Sequence, residues 1–251
     1  MNEAIELLND LKFFGMKNSI DYRVSEAIEA NLTHQEFFTF LLEDEHLYRR
    51  NKRSETLRRR AKFREKAYLE DFHILKERAV SKSMIQQFKS LYFMDNSENL
   101  LFIGGTGAGK SFLAQAIGHA ACVAGIETFF ISANRLFKEI ELAEAQGNYL
   151  TYMNRLGNRV KLLIIDDLGL RNYTHKEANI FYEILEDRYR KGPVIITSQV
   201  KAQGWKGLFE DEVIAEAILD RLTACAHIVD VKGDSYRSKQ KGKKRLDNNE
   251  K

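Results

Sequence analysis

Asn99–Ser111 reads "NLLFIGGTGAGKS": an apolar run, a glycine-rich loop, then Lys110-Ser111. The apolar run predicts a strand. Gly104-x-x-x-x-Gly109-Lys110-Ser111 fits the complete pattern of a phosphate-binding loop set between a strand and a helix. Glycines let successive backbone N–H groups turn inward around a phosphate without Cβ clashes. The helix that opens at Lys110 directs the positive end of its dipole at the same anion. Gly104, Gly105, Thr106, Gly107, Ala108, Gly109, Lys110, Ser111 and Phe112 are thus the expected nucleotide-binding set. Lys110 should reach the β- and γ-phosphates of ATP, and Ser111 should ligate Mg²⁺.

The same alternation continues on both sides of the loop. "KSFLAQAIGHAACVAG" predicts a helix closed by Gly125, and "ETFFIS" a second strand. Residues 133 to about 158 are helical in pattern, with a break near Gly147. "VKLLIID" (160–166), "PVIITSQ" and "HIVDV" complete five strands. Between them lie the helices "HKEANIFYEILEDRYRKG", with Gly192 past its end, and "DEVIAEAILDRL". Near-continuous apolar strands suit burial on both faces. Strand–helix alternation predicts a parallel sheet with helices on both sides. Residues 1–70 are helical instead: Ile5, Leu8, Leu11 and Phe14 recur at helical spacing before Gly15. "THQE" at Thr33–Glu36 has capping-box spacing and starts a long helix that carries Phe37, Phe40, Leu41, Leu47 and Tyr48 toward a core.

Three further positions bear on chemistry. The third strand ends in Asp166-Asp167, the pattern of a strand whose carboxylate holds Mg²⁺ beside the loop. Asp166 takes the metal role, and Asp167 stands where a base would polarise water. The fourth strand ends in Thr197, Ser198 and Gln199; a polar side chain here contacts the γ-phosphate and the attacking water in related ATPases, and Gln199 at the tip is favoured. Arg221, in Asp220-Arg221-Leu222, is either an arginine finger for a neighbouring subunit's nucleotide or an intrachain partner of Asp220 or another carboxylate. The pattern alone leaves both open. His227 and Trp205 read as structural.

Composition bounds the rest. The chain has 251 residues, 44% hydrophobic and 30% charged, with one proline, which suits one large α/β domain with a smaller one attached. Net charge is only +3, but "RRNKRSETLRRRAKFREK" (49–66) holds ten Lys/Arg against two Glu, and residues 232–251 hold eight Lys/Arg. Such asymmetry points to a polyanionic partner or to a solvated helix face and tail. Cys122 and Cys225 lack metal or redox spacing and read as reduced core residues. The start has no signal pattern and no run approaches a membrane span, so a soluble, cytoplasmic protein without membrane contact is expected.

"LLFIGGTGAGKSFLAQAIGHAAC", "LLIIDDLGL", "VIITSQV" and "AILDRLTACAHIVDVKGDSYR" resemble the IstB-like ATPases, helpers of insertion-sequence transposition and relatives of the helicase loader DnaC in the AAA+ class. "LKFFGMKNSI" and "YLEDFHI" extend the likeness toward the N-terminus. The most specific part is Asp220-Arg221-Leu222, Ala226-His227 and Lys232–Arg237. The resemblance implies an AAA+ α/β core of five parallel strands (71–237), a small all-helical N-terminal domain for DNA binding and assembly (1–70), no large C-terminal lid and a basic tail (238–251). It implies ATP and Mg²⁺ as cofactors, ATP hydrolysis, homo-oligomeric assembly on duplex DNA with Arg221 acting in trans, and a transposase as partner. The segment holding Lys138, Arg155 and Arg159 matches the helical insertion of the initiator and loader clade, and it would face DNA together with the N-terminal module. Arg49, Arg50, Lys52, Arg53, Arg58, Arg59 and Arg60 would then meet phosphates without sequence preference, since no base-reading motif is visible. Asp167 in place of the commoner Glu, and Gln199 in place of the commoner Asn, bear on hydrolysis rather than on binding. A DnaC-like helicase loader is the alternative reading, with a metabolic kinase a more distant one.

Overall fold

The computed structural model describes residues 2–72, 74 and 79–232. It divides into two compact units, Met1–Thr56 and Leu57–Lys251. The first contains α1 (Asn2–Asp10), α2 (Phe14–Glu29) and most of α3 (His34–Ala61), which runs on into the second. The helical spacing of Ile5, Leu8, Leu11 and Phe14 is divided by the turn between α1 and α2, and Gly15 lies in the first turn of α2, where a Cβ would meet the Glu45 backbone at 2.5 Å. Its amide and that of Met16 donate to Glu45 Oε2 at 2.6 and 3.2 Å, so a buried carboxylate from α3 caps α2. Burial would raise the pKa of Glu45, but Arg49 and the two amides outweigh it and hold it below the usual range. The capping box at Thr33 forms: its amide donates to Glu36 Oε2 at 2.9 Å and its hydroxyl accepts from the Glu36 amide at 3.3 Å. Leu41 is buried, but Leu47, expected in the core, is exposed.

The second unit opens with the last turns of α3, where Leu57 and Ala61 pack on Cys122. Residues 57–72 therefore belong with the sheet rather than with the helical module that the sequence drew to residue 70. A 3₁₀ turn (Leu69–Asp71), α4 (Lys82–Ser90) and α5 (Tyr92–Asp95) precede the sheet; the two α-helices fall in a stretch to which no element is assigned from the sequence pattern. Then come β1 (Asn99–Ile103), α6 (Lys110–Val123), β2 (Thr128–Ser132), α7 (Ala133–Ala145) and α8 (Tyr149–Asn154), followed by a π-helical turn (Arg155–Arg159). β3 (Leu162–Leu168), α9 (His175–Arg188), β4 (Val194–Ser198), a 3₁₀ segment (Ala202–Leu208), α10 (Glu212–Thr223) and β5 (Ala226–Asp230) complete the order. All five strands were anticipated within two residues.

The strands form one parallel sheet in the order β2-β3-β4-β1-β5. Successive strand side chains point to opposite faces. Leu101, Phe129, Ile131, Leu163, Ile165 and Ile196 pack under α7, α9 and α10. Leu100, Phe102, Phe130, Ile164 and Ile195 pack under α4 and α6. Burial on both faces is the reason these strands read as unbroken apolar runs. The sole tryptophan, Trp205, is fully buried in the first cluster and donates Nε1–H to the Val200 carbonyl at 2.8 Å. Cys122 is buried, but Cys225 is exposed, against the expectation of two core thiols. Among the described residues nothing follows β5 that would form a lid, and no helix is long and apolar enough to cross a membrane. The basic tail (238–251) and residues 233–237 of the C-terminal signature lie outside the described residues, as does His73 of "YLEDFHI".

Candidate nucleotide site

In a parallel sheet with helices on both faces, ligands bind beyond the carboxyl ends of the strands, beside the point where the strand order reverses. β1 delivers the loop Gly104–Gly109 there, and β3 delivers Asp166 and Asp167. β4 lies between the two. Gly107 and Gly109 have φ of 80° and 101°, backbone that a side chain would strain. Gly104 is needed for space as well, because a Cβ there would meet the Val231 carbonyl oxygen at 2.1 Å where the chain leaves β5. α6 starts at Lys110, so its free amides face the loop. Lys110 Nζ lies over the loop and donates to the carbonyls of Gly104 and Gly105, both at 2.8 Å. Burial lowers its pKa, against the pull of Asp167 and Asp166.

β3 and β4 slip register between Ile165 and Leu168. Asp166 and Asp167 occupy this bulge, and Asp167 adopts φ 59°, in the left-handed region. One hydroxyl repairs the interrupted ladder. Thr197 Oγ1, fully buried on β4, accepts from the Asp167 amide at 2.9 Å and donates to Asp166 Oδ1 at 2.6 Å. Asp166 is itself 0% exposed. Gln199, the favoured strand-tip residue, faces the loop instead: its Oε1 accepts from the Thr106 hydroxyl at 2.8 Å. Ser198 donates to the Leu168 carbonyl at 2.7 Å and so joins the ends of β4 and β3. The sequence offered all three side chains and did not separate these tasks.

Arg221 lies at the other end of the sheet. The Asn99 side chain, at the start of β1, donates to the Leu222 carbonyl at 3.1 Å, whereas the loop leaves from the end of β1. At about 3.3 Å per residue, β1 alone separates these ends by roughly 13 Å. Within its own chain Arg221 Nε donates to Glu186 Oε2 at 2.5 Å, Nη1 reaches Asp220 at 3.4 Å, and the guanidinium lies 4.8 Å from the Tyr189 ring centre. His227 lies between Glu98 Oε2 (2.7 Å) and the Tyr92 hydroxyl (3.0 Å), a structural position at the sheet edge.

The basic residues form two surfaces. Arg49, Arg50, Lys52, Arg53, Arg58, Arg59 and Arg60 all lie on α3, and all but the half-buried Arg58 are exposed. Spacing along the helix puts Arg49, Arg53 and Arg60 on one face and spreads the others around it. Lys138, Arg155 and Arg159 line a groove between α7 and α8 together with Arg135.

The residue the sequence passed over is Arg64, hidden in the basic run. Its Nη1 lies 3.2 Å from Asp166 Oδ2 and 3.8 Å from Asp167 Oδ2. No periodicity or motif distinguishes it from its basic neighbours, because the contact joins residues 102 positions apart.

This fold and loop define a P-loop nucleotide-binding protein of AAA+ architecture. A family model for the IstB-like ATP binding protein matches residues 6–244, and the chain belongs to that family. It is 34% identical over 240 residues to a putative insertion sequence ATP-binding protein of Sinorhizobium fredii, covering 96% of this chain and 98% of the relative. Among solved structures, AMPPCP-bound DnaA from Aquifex aeolicus superposes with a TM-score of 0.58 at 21% identity, over 75% of this chain and 57% of that one. The DnaC helicase loader gives 0.56 at 18% identity, over 66% of this chain and 97% of that one. At these identities the likeness to solved structures is one of fold.

Proposed function

We propose that this protein is an ATP-hydrolysing helper of insertion-sequence transposition. It assembles as a homo-oligomer on duplex DNA without sequence preference and directs a transposase to that target. The observation that carries the reading is the split of the site: loop and carboxylates at one end of the sheet, Arg221 at the other. A chain built this way holds a nucleotide but cannot bring its own Arg221 to the γ-phosphate, and stacking one copy on the next would supply it. The insertion-sequence names of its relatives favour this role over that of a helicase loader. A transposase gene beside its own would separate the two.

The loop amides and Lys110 bind the phosphates. The donors beside them suit a hard cation: the Ser111 hydroxyl and one carboxylate oxygen of the buried Asp166, whose other oxygen is tied to Thr197. Bound there, Mg²⁺ would supply charge neutralisation at the β- and γ-phosphates. Thr197 holds Asp166 in place, Asp167 accepts the proton of the attacking water, and Gln199 holds the loop through Thr106 beside the γ-phosphate position. Arg221 of the neighbouring copy offsets the charge that develops on transfer. The basic faces of α3 and the α7–α8 groove neutralise DNA phosphates, so affinity for a duplex should fall steeply with salt.

Electron microscopy with duplex DNA, with and without a non-hydrolysable ATP analogue, tests the assembly. Discrete oligomers on DNA that require nucleotide and are lost in Lys110→Ala are expected. Monomers under every condition would overturn the reading.

A further inference from the structure

Phe63, Arg64 and Glu65 follow the end of α3 and lie across α6, the helix that opens at the phosphate loop. Gln115 and His119 of α6 fix the strap. Gln115 Oε1 accepts from the amides of Arg64 and Glu65 at 2.7 and 3.3 Å, and Gln115 Nε2 donates to the Ser111 carbonyl at 3.2 Å. His119 Nε2 lies 3.1 Å from the Glu65 carbonyl, and its ring stacks on Phe63 at 4.2 Å. Gly118 leaves room for Phe63, since a Cβ there would meet that ring at 2.7 Å. The strap's backbone is thus anchored to the same helix that carries Ser111.

From this anchor the Arg64 side chain passes over the Phe130 ring, 5.5 Å from its centre, and reaches Asp166 Oδ2. Oδ1 is committed to the Thr197 hydroxyl. Oδ2 is therefore the oxygen of this buried carboxylate that a cation can take, and a guanidinium and a metal ion cannot both hold it at short range. Arg64 is half exposed and has solvent to move into, whereas Asp166 has none.

We propose that Arg64 competes in cis with Mg²⁺ for the Asp166 carboxylate, so that loading metal–nucleotide requires the strap's guanidinium to let go. It is a positioning residue for Asp166 and Asp167 rather than a phosphate ligand. The proposal rests on the reading of the loop as an ATP–Mg²⁺ site. The ion pair has a wholly buried acceptor and a half-exposed donor, so its removal should shift metal affinity by about threefold to tenfold.

The test is the Mg²⁺ concentration that gives half-maximal binding of ATP carrying a fluorescent ribose label, compared with binding of the same probe in EDTA. R64A and R64Q should lower the Mg²⁺ midpoint about threefold to tenfold and leave metal-free binding unchanged. R64K, which restores the charge, should return the midpoint toward that of the unaltered protein. R64Q keeps most of the stem over Phe130, so a packing defect confined to R64A is recognised as such. An unchanged midpoint in R64Q would refute the competition. A raised midpoint with weakened binding would make Arg64 a phosphate ligand and refute it equally. Failure of the unaltered protein to bind the probe, or equal binding by K110A, would overturn the ATP-site reading itself. A Lys110-dependent signal indifferent to Arg64 would overturn only this inference.

Discussion

If Arg221 serves the neighbouring copy, two inactive variants should restore each other. Arg221→Ala keeps a complete loop but offers no finger. Asp167→Asn keeps the finger and the nucleotide-binding loop but lacks the group that accepts the water's proton. The structure sets the expectation, because loop and Arg221 stand at opposite ends of β1, about 13 Å apart on the strand alone. Loss of such a finger lowers turnover by about 10³–10⁵, so each variant alone should hydrolyse almost no ATP. Mixed in equal amounts on DNA, one contact in four joins an Arg221→Ala loop to an Asp167→Asn finger, and the mixture should recover about a quarter of the unaltered rate. The assay is steady-state phosphate release at saturating ATP and duplex DNA, with the ratio of the variants varied at constant total protein. Recovery should peak near equal amounts and vanish at either extreme. A mixture no more active than the sum of its components would refute the trans assignment. Arg221 would then keep only its intrachain role with Glu186 and Asp220.

Three further outcomes follow from the packing. Arg188 is 2% exposed, with a pKa that burial alone pushes down to about 10, and it donates to the carbonyls of Leu156, Val160, Lys161 and Pro193. Arg188→Met leaves these acceptors without their donor and should lower stability in denaturant titration by about 3 kcal/mol or more. Thr197→Val preserves shape but strips Asp166 and the Asp167 amide of their shared partner. It should cost about 1–3 kcal/mol in the same titration and weaken Mg²⁺-dependent nucleotide binding. Burial pushes the Cys122 thiol up to about 11, whereas Cys225 is exposed. A thiol reagent at neutral pH should modify Cys225 alone in the folded protein and both cysteines after denaturation.

The strands and the loop were legible in the sequence because their signals are local. An apolar run before glycines, a Lys-Ser pair opening a helix, and Thr33 with Glu36 each act within one turn or one strand. Errors fell where a residue's role depends on a distant partner. Ile5, Leu8, Leu11 and Phe14 share one helical spacing, yet the chain turns between α1 and α2 so that Gly15 can approach α3 closely. Leu47 falls at a core spacing but faces water. Cys225 sits among apolar neighbours in sequence and on the surface in space.

The sequence by itself therefore determined a phosphate loop between strand and helix, a carboxylate-tipped strand, and five buried parallel strands, because hydrophobic period and glycine placement are properties of adjacent residues. Only the tertiary structure decided that Thr197 braces Asp166 while Gln199 pairs with Thr106, and that Arg221 lies at the opposite end of the sheet from its own loop. It alone brought Arg64 to the Asp166 carboxylate across 102 positions of chain. Those relations follow from strand order and from a bulge between β3 and β4. They are fixed by how the sheet closes its hydrogen bonds and buries both faces, which no single stretch of residues encodes.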